Sequence, residues 1–284
     1  MKNPITPTTW KLAHDCELEI GKKSILMGIL NVTPDSFSDG GKFETVRAAV
    51  EQANRMIDEG AVIIDIGGES TRPGAEAISA DEEQSRVVPV IRALTGLKGV
   101  YLSIDTYNAT TAHMALEEGA HIVNDVWGFQ KDPDIAEVAA KFRAGCCAMH
   151  TGRERCKKKD VIEDQKAFLE QSVKTMRNAG ISDDSIVLDP GFGFAKDADE
   201  NIALLSRFEE LHGLGFPLLV GTSRKRFIGH VTGREEGDRD IGTSATSVVA
   251  RMKGAAIFRV HDVATNADAL AIADSVLGNT LVEG

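Results

Sequence analysis

Short runs of apolar and β-branched residues alternate along the chain with longer segments in which apolar positions recur every three or four residues. Runs of the first kind are typical of strands buried on both faces, and segments of the second kind are typical of helices with one buried face. The predicted strands are Ile25–Val32, Val62–Gly67, Val100–Asp105, Ile122–Val126, Gly145–His150, Ile186–Asp189, Pro217–Gly221 and Ile257–His261. The predicted helices between them include Thr45–Glu59, Asp81–Leu97, Asp164–Asn178 and Asp199–His212. The pattern therefore predicts an α/β fold in which a βα unit is repeated eight times.

Eight such units suit either a closed barrel or a doubly wound open sheet, and the placement of polar residues separates the two. Polar side chains follow almost every predicted strand, at Asn31, Glu69–Arg72, Asp105, Asn124, His150, Asp189, Ser223–Lys225, Arg259 and His261. An open sheet would gather functional residues after a few strands near its switch point, whereas a barrel gathers them after all eight. We therefore expect a (β/α)8 TIM barrel with these residues at its C-terminal mouth.

The remaining organisation of the chain is simple. Residues before Ser24, including Trp10 and Leu12, predict a short N-terminal extension over the lower end of the barrel. No low-complexity linker or block of like charge divides the rest, so residues 1–284 are expected to form a single domain.

Composition and charge narrow the class of function. The chain has 284 residues and a formal net charge of −11, which argues against a nucleic acid as partner because that task requires a basic face. No apolar run is long enough for a signal peptide or a membrane span, so we expect a cytoplasmic protein without a membrane partner. The four cysteines show no paired spacing and are expected to be reduced and structural.

The loop after the first predicted strand, Asn31–Gly41, combines a carboxamide, aspartates and glycines. Magnesium prefers a few protein oxygen ligands, with water and substrate phosphate in the other positions, and Asn31 and Asp39 could supply such ligands. An ordinary Asx-rich turn would have the same composition, so the loop alone leaves both interpretations open.

Three polar residues, Asp105, Asn124 and Asp189, stand at the ends of the third, fourth and sixth predicted strands. Barrel geometry would point all three at a common ligand, and carboxylates with a carboxamide suit a heterocycle edge that presents several N–H donors. Each residue alone could be a buried strand-end cap, but three at one level favour a binding site.

Two further loops carry groups suited to an anion. The loop Gly67–Gly74 could close over an anion with Arg72, although Glu69 and Arg72 could instead pair with each other at the rim. The segment Gly221–Gly229 carries three consecutive cations, of which Lys225 is placed to enter the mouth.

Arg259 and His261 close the eighth predicted strand, where alternation turns both side chains to the same face. A guanidinium and an imidazole on one face suit a pyrophosphate. The segment Asp189–Lys196 has only two of the three glycines of a dinucleotide fingerprint, so no nucleotide site is predicted there. His150 also falls at the mouth, and the sequence shows no obvious partner for it.

Taken in order, these segments resemble the signature of the dihydropteroate synthases, from about Ile25 to Leu277. The segments that carry the resemblance are Asn31–Gly41, Asp65–Gly74, Asp189–Lys196, Gly221–Lys225 and Arg259–Asp262. The resemblance implies that the amine of 4-aminobenzoate displaces pyrophosphate from (7,8-dihydropterin-6-yl)methyl diphosphate, with the aid of Mg²⁺. It also implies a homodimer formed through the later helices.

The resemblance further implies a role for each matched residue. Pterin binding is implied for Asp105, Asn124, Asp189 and Lys225, with Ser223 of the same motif among the substrate-binding residues. Diphosphate binding is implied for Asn31, Arg259 and His261, and magnesium binding for Asn31 and Asp39. The residues implied to frame the aminobenzoate are Thr71, Arg72, Pro73 and Phe194, and Arg226 with the helix N-terminus behind it is expected to receive the carboxylate. Catalysis by Asn31, Lys225, Arg259 and His261 is then expected to be electrostatic and positional, with no general base, because the aniline nitrogen is already nucleophilic.

The sequence departs from the family pattern in two places. Many relatives have a serine after the lysine of this motif, where the aminobenzoate carboxylate meets a helix N-terminus, but this chain has Arg226. Backbone N–H groups and the helix dipole would still favour an anion there, so binding is expected to survive with different contacts. The segment Met149–Glu154 also differs, and we expect it to alter a pocket wall rather than the reaction.

Two rival functions remain at the level of sequence. A pterin-binding methyltransferase domain, which holds methyltetrahydrofolate, would use similar aspartate and asparagine residues but has no use for Arg259, His261 and the first loop. A non-catalytic folate or pterin binding module would keep the pocket without releasing pyrophosphate.

Overall fold

The computed structural model describes residues 7–33, 42–69 and 78–280. A hairpin of β1 (Thr8–Leu12) and β2 (Cys16–Ile20) precedes eight further strands that alternate with helices. These strands are β3 (Ile25–Asn31), β4 (Ile63–Gly67), β5 (Tyr101–Asp105), β6 (Ile122–Asp125), β7 (Gly145–Met149), β8 (Ile186–Asp189), β9 (Leu219–Val220) and β10 (Ile257–Val260). The helices are α1 (Lys42–Asp58), α2 (Ala80–Leu94), α3 (Ala109–Glu117), α4 (Ile135–Phe142), α5 (Val161–Asn178), α6 (Ala198–Ser206), α7 (Arg226–Thr232), α8 (Asp240–Met252) and α9 (Val263–Thr280).

Strands β3 to β10 pair in parallel in the order β8-β7-β6-β5-β4-β3-β10-β9. An isolated parallel bridge between Leu188 and Leu218 joins the two ends of this order, and Leu188 N donates to Pro217 O at 3.0 Å. The strands therefore form a ring, which confirms the (β/α)8 barrel predicted from the polar residues at the strand ends.

Alternation along the strands divides the apolar residues into two clusters. Outward residues such as Leu26, Ile64 and Ile104 pack beneath the helices in the larger cluster. Inward residues at the lower end, such as Met27 and Ile63, pack with the hairpin in the second cluster.

The hairpin covers the lower end of the barrel, as the sequence predicted. Trp10 and Leu12 are buried in the inner cluster, and Trp10 Nε1 donates a hydrogen bond to Ser185 O at 2.9 Å, just before β8. The barrel is thus closed from below by apolar side chains, and its polar interior opens only upward, at the carboxyl ends of the strands.

One predicted helix was wrong. The segment Asp199–His212 divides into α6, which ends at Ser206, and a 3-10 helix over Phe208–Leu214. Phe208 and Leu211 are both buried, and their three-residue spacing matches the three residues per turn of a 3-10 helix. Apolar residues three apart are also compatible with an α-helix, which is why the sequence pattern did not separate the two.

Within the described ranges, no helix has the length and apolar character that crossing a membrane requires. The four cysteines form no disulfide with one another; Cys146 and Cys147 are buried in β7, Cys16 is half-buried and Cys156 is exposed.

Candidate active site

The upper half of the barrel interior holds a cluster of charged and amide side chains centred on Arg259. Its Nε donates to Asp65 Oδ2 at 2.6 Å, and its Nη2 donates to Asp105 Oδ2 at 2.6 Å. Asn124 Nδ2 donates to the same Asp65 oxygen at 3.0 Å. One guanidinium therefore joins side chains from β10, β4 and β5, and Asp65 also binds the amide from β6.

Asp65 is a site residue that the sequence reasoning did not select. It is fully buried, and its second oxygen, Oδ1, has no hydrogen-bond partner among the described residues. The sequence did contain a sign of this role: Asp65 is the single charged residue in the apolar strand β4, and side-chain alternation along the strand turns it toward the barrel interior. It was missed because it lies in mid-strand rather than at the strand end.

Asn124 has an amide orientation that its partner determines. Because its Nδ2 donates to Asp65, its carbonyl oxygen is the atom turned away from that contact. A ligand that meets Asn124 in this orientation must therefore supply a donor.

Asp189 ends β8 and is also buried. Its Oδ1 accepts a hydrogen bond from Gly191 N at 2.7 Å. Burial raises the pKa of Asp189 to about 6, although Gly191 N–H, Arg259 and Lys225 stabilise the charged form. A ligand that donates two hydrogen bonds to this carboxylate would offset the cost of keeping it ionised.

Lys225 follows β9 and extends over the ring of Phe194, with Nζ 4.3 Å from the ring centroid. Burial, followed by the repulsion of Arg259, lowers the pKa of Lys225 to about 8. Arg153 contacts the same ring, with its guanidinium carbon 4.8 Å from the centroid. Arg153 belongs to the segment that departs from the family pattern, and it was not among the predicted site residues.

The structure ties Arg259 and His261 to different partners. Arg259 turns to the carboxylates, whereas His261 Nδ1 is hydrogen-bonded to Ser223 Oγ at 2.8 Å and His261 N donates to the same oxygen at 3.1 Å. This pair joins the end of β10 to the loop after β9. Ser223 is thus placed beside a predicted diphosphate ligand rather than beside the carboxylate cluster.

The remaining predicted residues lie at the edges of the mouth. Asn31 ends β3 opposite Gly67 and is half-buried. Arg226 is exposed at the first position of α7, where Lys225 is the N-cap and makes no side-chain cap bond. The adjacent Arg224 is engaged elsewhere, in a two-bond pair with Asp240 at 2.8 Å for each contact.

Four predicted residues, Asp39, Thr71, Arg72 and Pro73, lie outside the described residues. In the part of the chain that the structure describes, no group of three or more His, Cys, Asp or Glu side chains could hold a metal ion. Asn31 is therefore the one predicted magnesium ligand whose position is described.

The sequence showed no obvious partner for His150, and the structure gives it two on opposite sides of the ring. His150 is fully buried, its Nε2 lies 3.0 Å from Asp164 Oδ2, and its Nδ1 lies 2.9 Å from Lys196 Nζ. Asp164 belongs to α5 and Lys196 to the loop after β8. Because these residues meet His150 only in the folded barrel, no local sequence pattern predicts the contacts.

The arrangement suits two kinds of ligand group side by side. Carboxylates and a carbonyl oxygen, buried in the barrel, can receive the N–H groups of a flat heterocycle. Lys225, Arg259 and His261 approach the same region and can receive an anion.

Comparison with known proteins points in the same direction. Residues 27–261 match the family of pterin binding enzymes. The chain is 47% identical to the dihydropteroate synthase of Clostridium beijerinckii, over 92% of this chain and 97% of the relative. It is 48% identical to that of Bacillus subtilis, over 92% and 91% of the two chains.

Solved structures show the same likeness. A dihydropteroate synthase from Clostridium difficile, solved in the presence of pteroic acid, has a TM-score of 0.88 at 47% identity and covers 90% of this chain and 98% of its own. One from Xanthomonas albilineans, solved with 4-aminobenzoic acid, has a TM-score of 0.89 at 40% identity, over 95% and 99% of the two chains. This chain therefore belongs to the pterin binding enzymes and, among them, to the dihydropteroate synthases.

Proposed function

We propose that this chain joins 4-aminobenzoate to the methyl carbon of (7,8-dihydropterin-6-yl)methyl diphosphate, giving 7,8-dihydropteroate and pyrophosphate. The observation that carries the proposal is the buried set of Asp105, Asn124 and Asp189 with Arg259 and Lys225 beside it. The family of the chain, and the relatives solved with pteroic acid and with 4-aminobenzoic acid, support the same reaction.

In this proposal the pterin enters the polar upper half of the barrel. Asp189 receives the amino-pyrimidine edge, and Asp105 and Asn124 receive further N–H groups of the ring system. Lys225, which lies over Phe194, donates to the oxygen and nitrogen acceptors of the pterin. The pterin has donors and acceptors on neighbouring edges, which matches carboxylates on one side of the pocket and an ammonium on the other.

The diphosphate is assigned to Asn31, Arg259 and His261. Arg259 can stay bound to Asp65 and Asp105 through Nε and Nη2, because a guanidinium has five N–H groups and the others can meet an anion. Ser223 orients the His261 ring through Nδ1, so that Nε2 is the nitrogen that can face the diphosphate.

A magnesium ion fits the groups that the chain offers. Asn31 supplies an amide oxygen at the mouth, and magnesium takes few protein ligands when a substrate diphosphate is present. We assign Asn31 and Asp39 as its ligands. When bound, the ion would neutralise charge on the leaving diphosphate.

The aminobenzoate is assigned to the outer part of the mouth. Phe194 offers a ring face there, and the first turn of α7 with Arg226 is placed to meet the carboxylate. Thr71, Arg72 and Pro73 are proposed to complete this subsite, with Ser223 at the boundary between the two substrates.

The residues of the chain then act by position and charge. Arg259 and His261 stabilise the charge that develops on the diphosphate as the carbon–oxygen bond breaks. The pterin-binding residues hold the methyl carbon in line with the amine of the aminobenzoate, and that nitrogen forms the new bond and then loses a proton to solvent.

A pyrophosphate-release assay tests the proposal. With pterin diphosphate as substrate, release of pyrophosphate should depend on added 4-aminobenzoate and should yield dihydropteroate. A rival domain that transfers a methyl group from methyltetrahydrofolate, or a module that only binds pterin, would release none. The absence of aminobenzoate-dependent release from folded protein would reject the assignment.

We also propose a single-domain, cytoplasmic homodimer formed through the last helices. Large apolar side chains are exposed on this side of the molecule, at Val231, Ile241, Val249, Met252, Ile272 and Val276. Ile241, Val249 and Met252 recur at helical spacing along α8, and Ile272 and Val276 are four residues apart on the adjacent α9. A second copy of the chain is the proposed occupant of this face.

A further inference from the structure

A continuous path of hydrogen bonds runs from α5 to the carboxylate of Asp189. Asp164 of α5 faces His150 Nε2 at 3.0 Å, and His150 Nδ1 faces Lys196 Nζ at 2.9 Å. Lys196 donates to Gly191 O at 2.8 Å, and Gly191 N donates to Asp189 Oδ1 at 2.7 Å. The function proposed above gives no task to Asp164, His150 or Lys196.

The donor and acceptor properties of these groups fix the direction of the path. The ammonium form of Lys196 can only donate, so in that form His150 Nδ1 accepts and the ring carries its proton on Nε2, toward Asp164. Burial lowers the pKa of His150 to about 3, so the ring is neutral near pH 7. Arg155 Nη2 also lies 2.7 Å from His150 Nε2, but that nitrogen carries the ring proton in this tautomer and does not accept a hydrogen bond. Arg155 Nη2 donates instead to Asp164 Oδ2 at 2.6 Å.

Asp164 is well anchored at the outer end of the path. It is buried, and it accepts from Arg155 Nη1 at 3.0 Å and from Lys158 N at 2.7 Å in addition to the contacts just described. A carboxylate with this many donors is held in one orientation, and the His150 ring is held with it.

The inner end of the path is the tight loop between β8 and α6. Gly191 has a φ of +64°, and a Cβ there would lie 2.0 Å from His150 O, so the loop backbone passes directly against β7. Lys196 binds two carbonyls of this loop, Gly191 O at 2.8 Å and Phe194 O at 3.4 Å. The ammonium group of Lys196 therefore holds both Gly191, whose N–H binds Asp189, and Phe194, whose ring lies against Lys225.

We propose that Lys196 is a positioning residue of the pterin site, held by the Asp164–His150 pair. It fixes the Gly191 N–H on Asp189 and places the Phe194 ring against Lys225. It touches no substrate. The inference rests on the proposed function, because it assumes that Asp189 and Phe194 meet the substrates.

Lys196 also acts through its charge. Burial lowers the pKa of Lys196 to about 7, although Asp189, Asp164 and Glu200 favour the ammonium, so the positive charge is present below about pH 7. Lys157 and His150 are the other titratable groups beside it. Although burial dominates and raises the pKa of Asp189, the positive charge of Lys196 opposes that rise. Removal of the charge should therefore move the ionisation of Asp189 to higher pH, an effect that loss of packing alone would not produce.

The test compares Lys196→Met with the matched variant Lys157→Met. Lys157 is a neighbouring lysine that donates to Ala195 O at 2.8 Å and to Glu200, from the solvent side of the same loop. Binding of 6-hydroxymethylpterin is measured by calorimetry from pH 5 to pH 8.5. We expect Lys196→Met to weaken binding about tenfold near pH 7, as for loss of a charge-assisted hydrogen bond. The pH below which affinity falls should rise in Lys196→Met, and Lys157→Met should resemble the wild type.

Wild-type affinity and an unmoved pH profile in Lys196→Met would overturn the inference. An equal effect in Lys157→Met would also overturn the inference, because loss of any lysine that binds this loop would then weaken pterin binding equally. If Lys196→Met does not fold, Asp164→Asn tests the same path at its outer end. This variant is expected to weaken binding of 6-hydroxymethylpterin several-fold. A folded Asp164→Asn with wild-type affinity would reject the path.

The same experiment separates this inference from the proposed function. If the wild type itself fails to bind the pterin, the proposed function fails first. If the wild type binds and Lys196→Met binds equally well, the function stands and only the role of Lys196 is lost.

Discussion

The carboxylate of Asp189 is buried, and the proposed function requires it to be ionised when it receives the amino-pyrimidine edge of the pterin. Asp189→Asn keeps the shape but replaces one acceptor with a donor that would face the pterin amino group. We expect pterin affinity to fall by about 2–5 kcal/mol, because a desolvated charge-assisted pair loses its match. Calorimetry with a pterin analogue measures this, and unchanged affinity would remove Asp189 from the site.

The same substitution should change stability in the opposite sense. The folded-state pKa of Asp189, about 6, lies above the unfolded value of 3.8, so ionised Asp189 destabilises the fold. This cost is absent below about pH 3.8, grows as pH rises to about 6, and is then constant. Relative to the wild type, unliganded Asp189→Asn should therefore gain stability over that range, by up to about 3 kcal/mol. Urea denaturation at pH 4 and at pH 7 checks this, and an equal difference at both values would contradict it.

The sequence pattern identified candidate site residues most readily where a polar residue ends an apolar strand. Asp105, Asn124 and Asp189 were selected in this way, and the structure links Asp105 to Asn124 through Arg259 and Asp65. Asp65 and His150 were harder to identify from the sequence, because their partners come from other strands and helices. Such contacts are set by barrel closure, which no local pattern encodes.

At the scale of elements, the predicted strands agree with the observed ones to within one or two residues at most ends. Alternation and strand-end polarity are strong signals in a barrel, since each strand is buried on both faces. Helix ends were less well predicted. For example, α5 begins at Val161 rather than Asp164, because the side chain of Asp160 accepts from Ile162 N and Glu163 N and caps the helix earlier.

A buried arginine ties the last two helices to the strand that opens the barrel. Arg251 of α8 is fully buried, and its Nε donates to Asp274 Oδ1 of α9 at 2.6 Å. Its Nη2 donates to Gly21 O at 3.0 Å, and Asp274 in turn accepts from Ser24 N at 2.8 Å. The pair therefore joins α8, α9 and the segment between β2 and β3.

Arg251→Met should lower the free energy of unfolding by about 3–5 kcal/mol, because it removes the cation paired with Asp274 and the donor to three backbone carbonyls, Gly21 O, Lys22 O and Ala255 O. Urea denaturation measures the loss. As a control, Arg143→Met removes an exposed pair with Asp15, in which both side chains are 77% exposed, and should cost only about 0–1 kcal/mol. Equal losses in the two variants would show that Arg251 has no special structural role.

At the scale of the whole molecule, the distribution of charge matters more than its total. The chain carries a net charge of −11, yet Lys225, Arg259 and His261 all lie at the carboxyl ends of the neighbouring strands β9 and β10. An anionic substrate is therefore attracted only locally. We expect the Michaelis constant for pterin diphosphate to rise with ionic strength less steeply than for an enzyme with a basic surface, because partly buried charges are screened less. A steep dependence in steady-state kinetics between low and high salt would contradict this.

Charged substitutions on the exposed apolar residues of α8 and α9 test whether this face forms the proposed dimer interface. Ile241 on α8 and Ile272 on α9 are 79% and 70% exposed, and burial of such side chains favours association. Sedimentation velocity should show a dimer for the wild type and a monomer for Ile241→Glu/Ile272→Glu. Met114→Glu, which charges an exposed apolar residue on α3, should remain dimeric. A monomeric wild type would reject the proposal.

The monomeric variant would also show whether one chain holds a complete pterin site. The carboxylate cluster lies inside the barrel, Lys225 and Phe194 lie on the loops after β9 and β8, and none of these residues belongs to α8 or α9. We therefore expect Ile241→Glu/Ile272→Glu to bind the pterin analogue with an affinity within about twofold of the wild type, since no contact of the site is removed. Calorimetry at equal chain concentration makes the comparison. A large loss of affinity in a folded monomer would mean that dimer contacts support the loops of the mouth, and the site would then belong to the pair of chains rather than to each one.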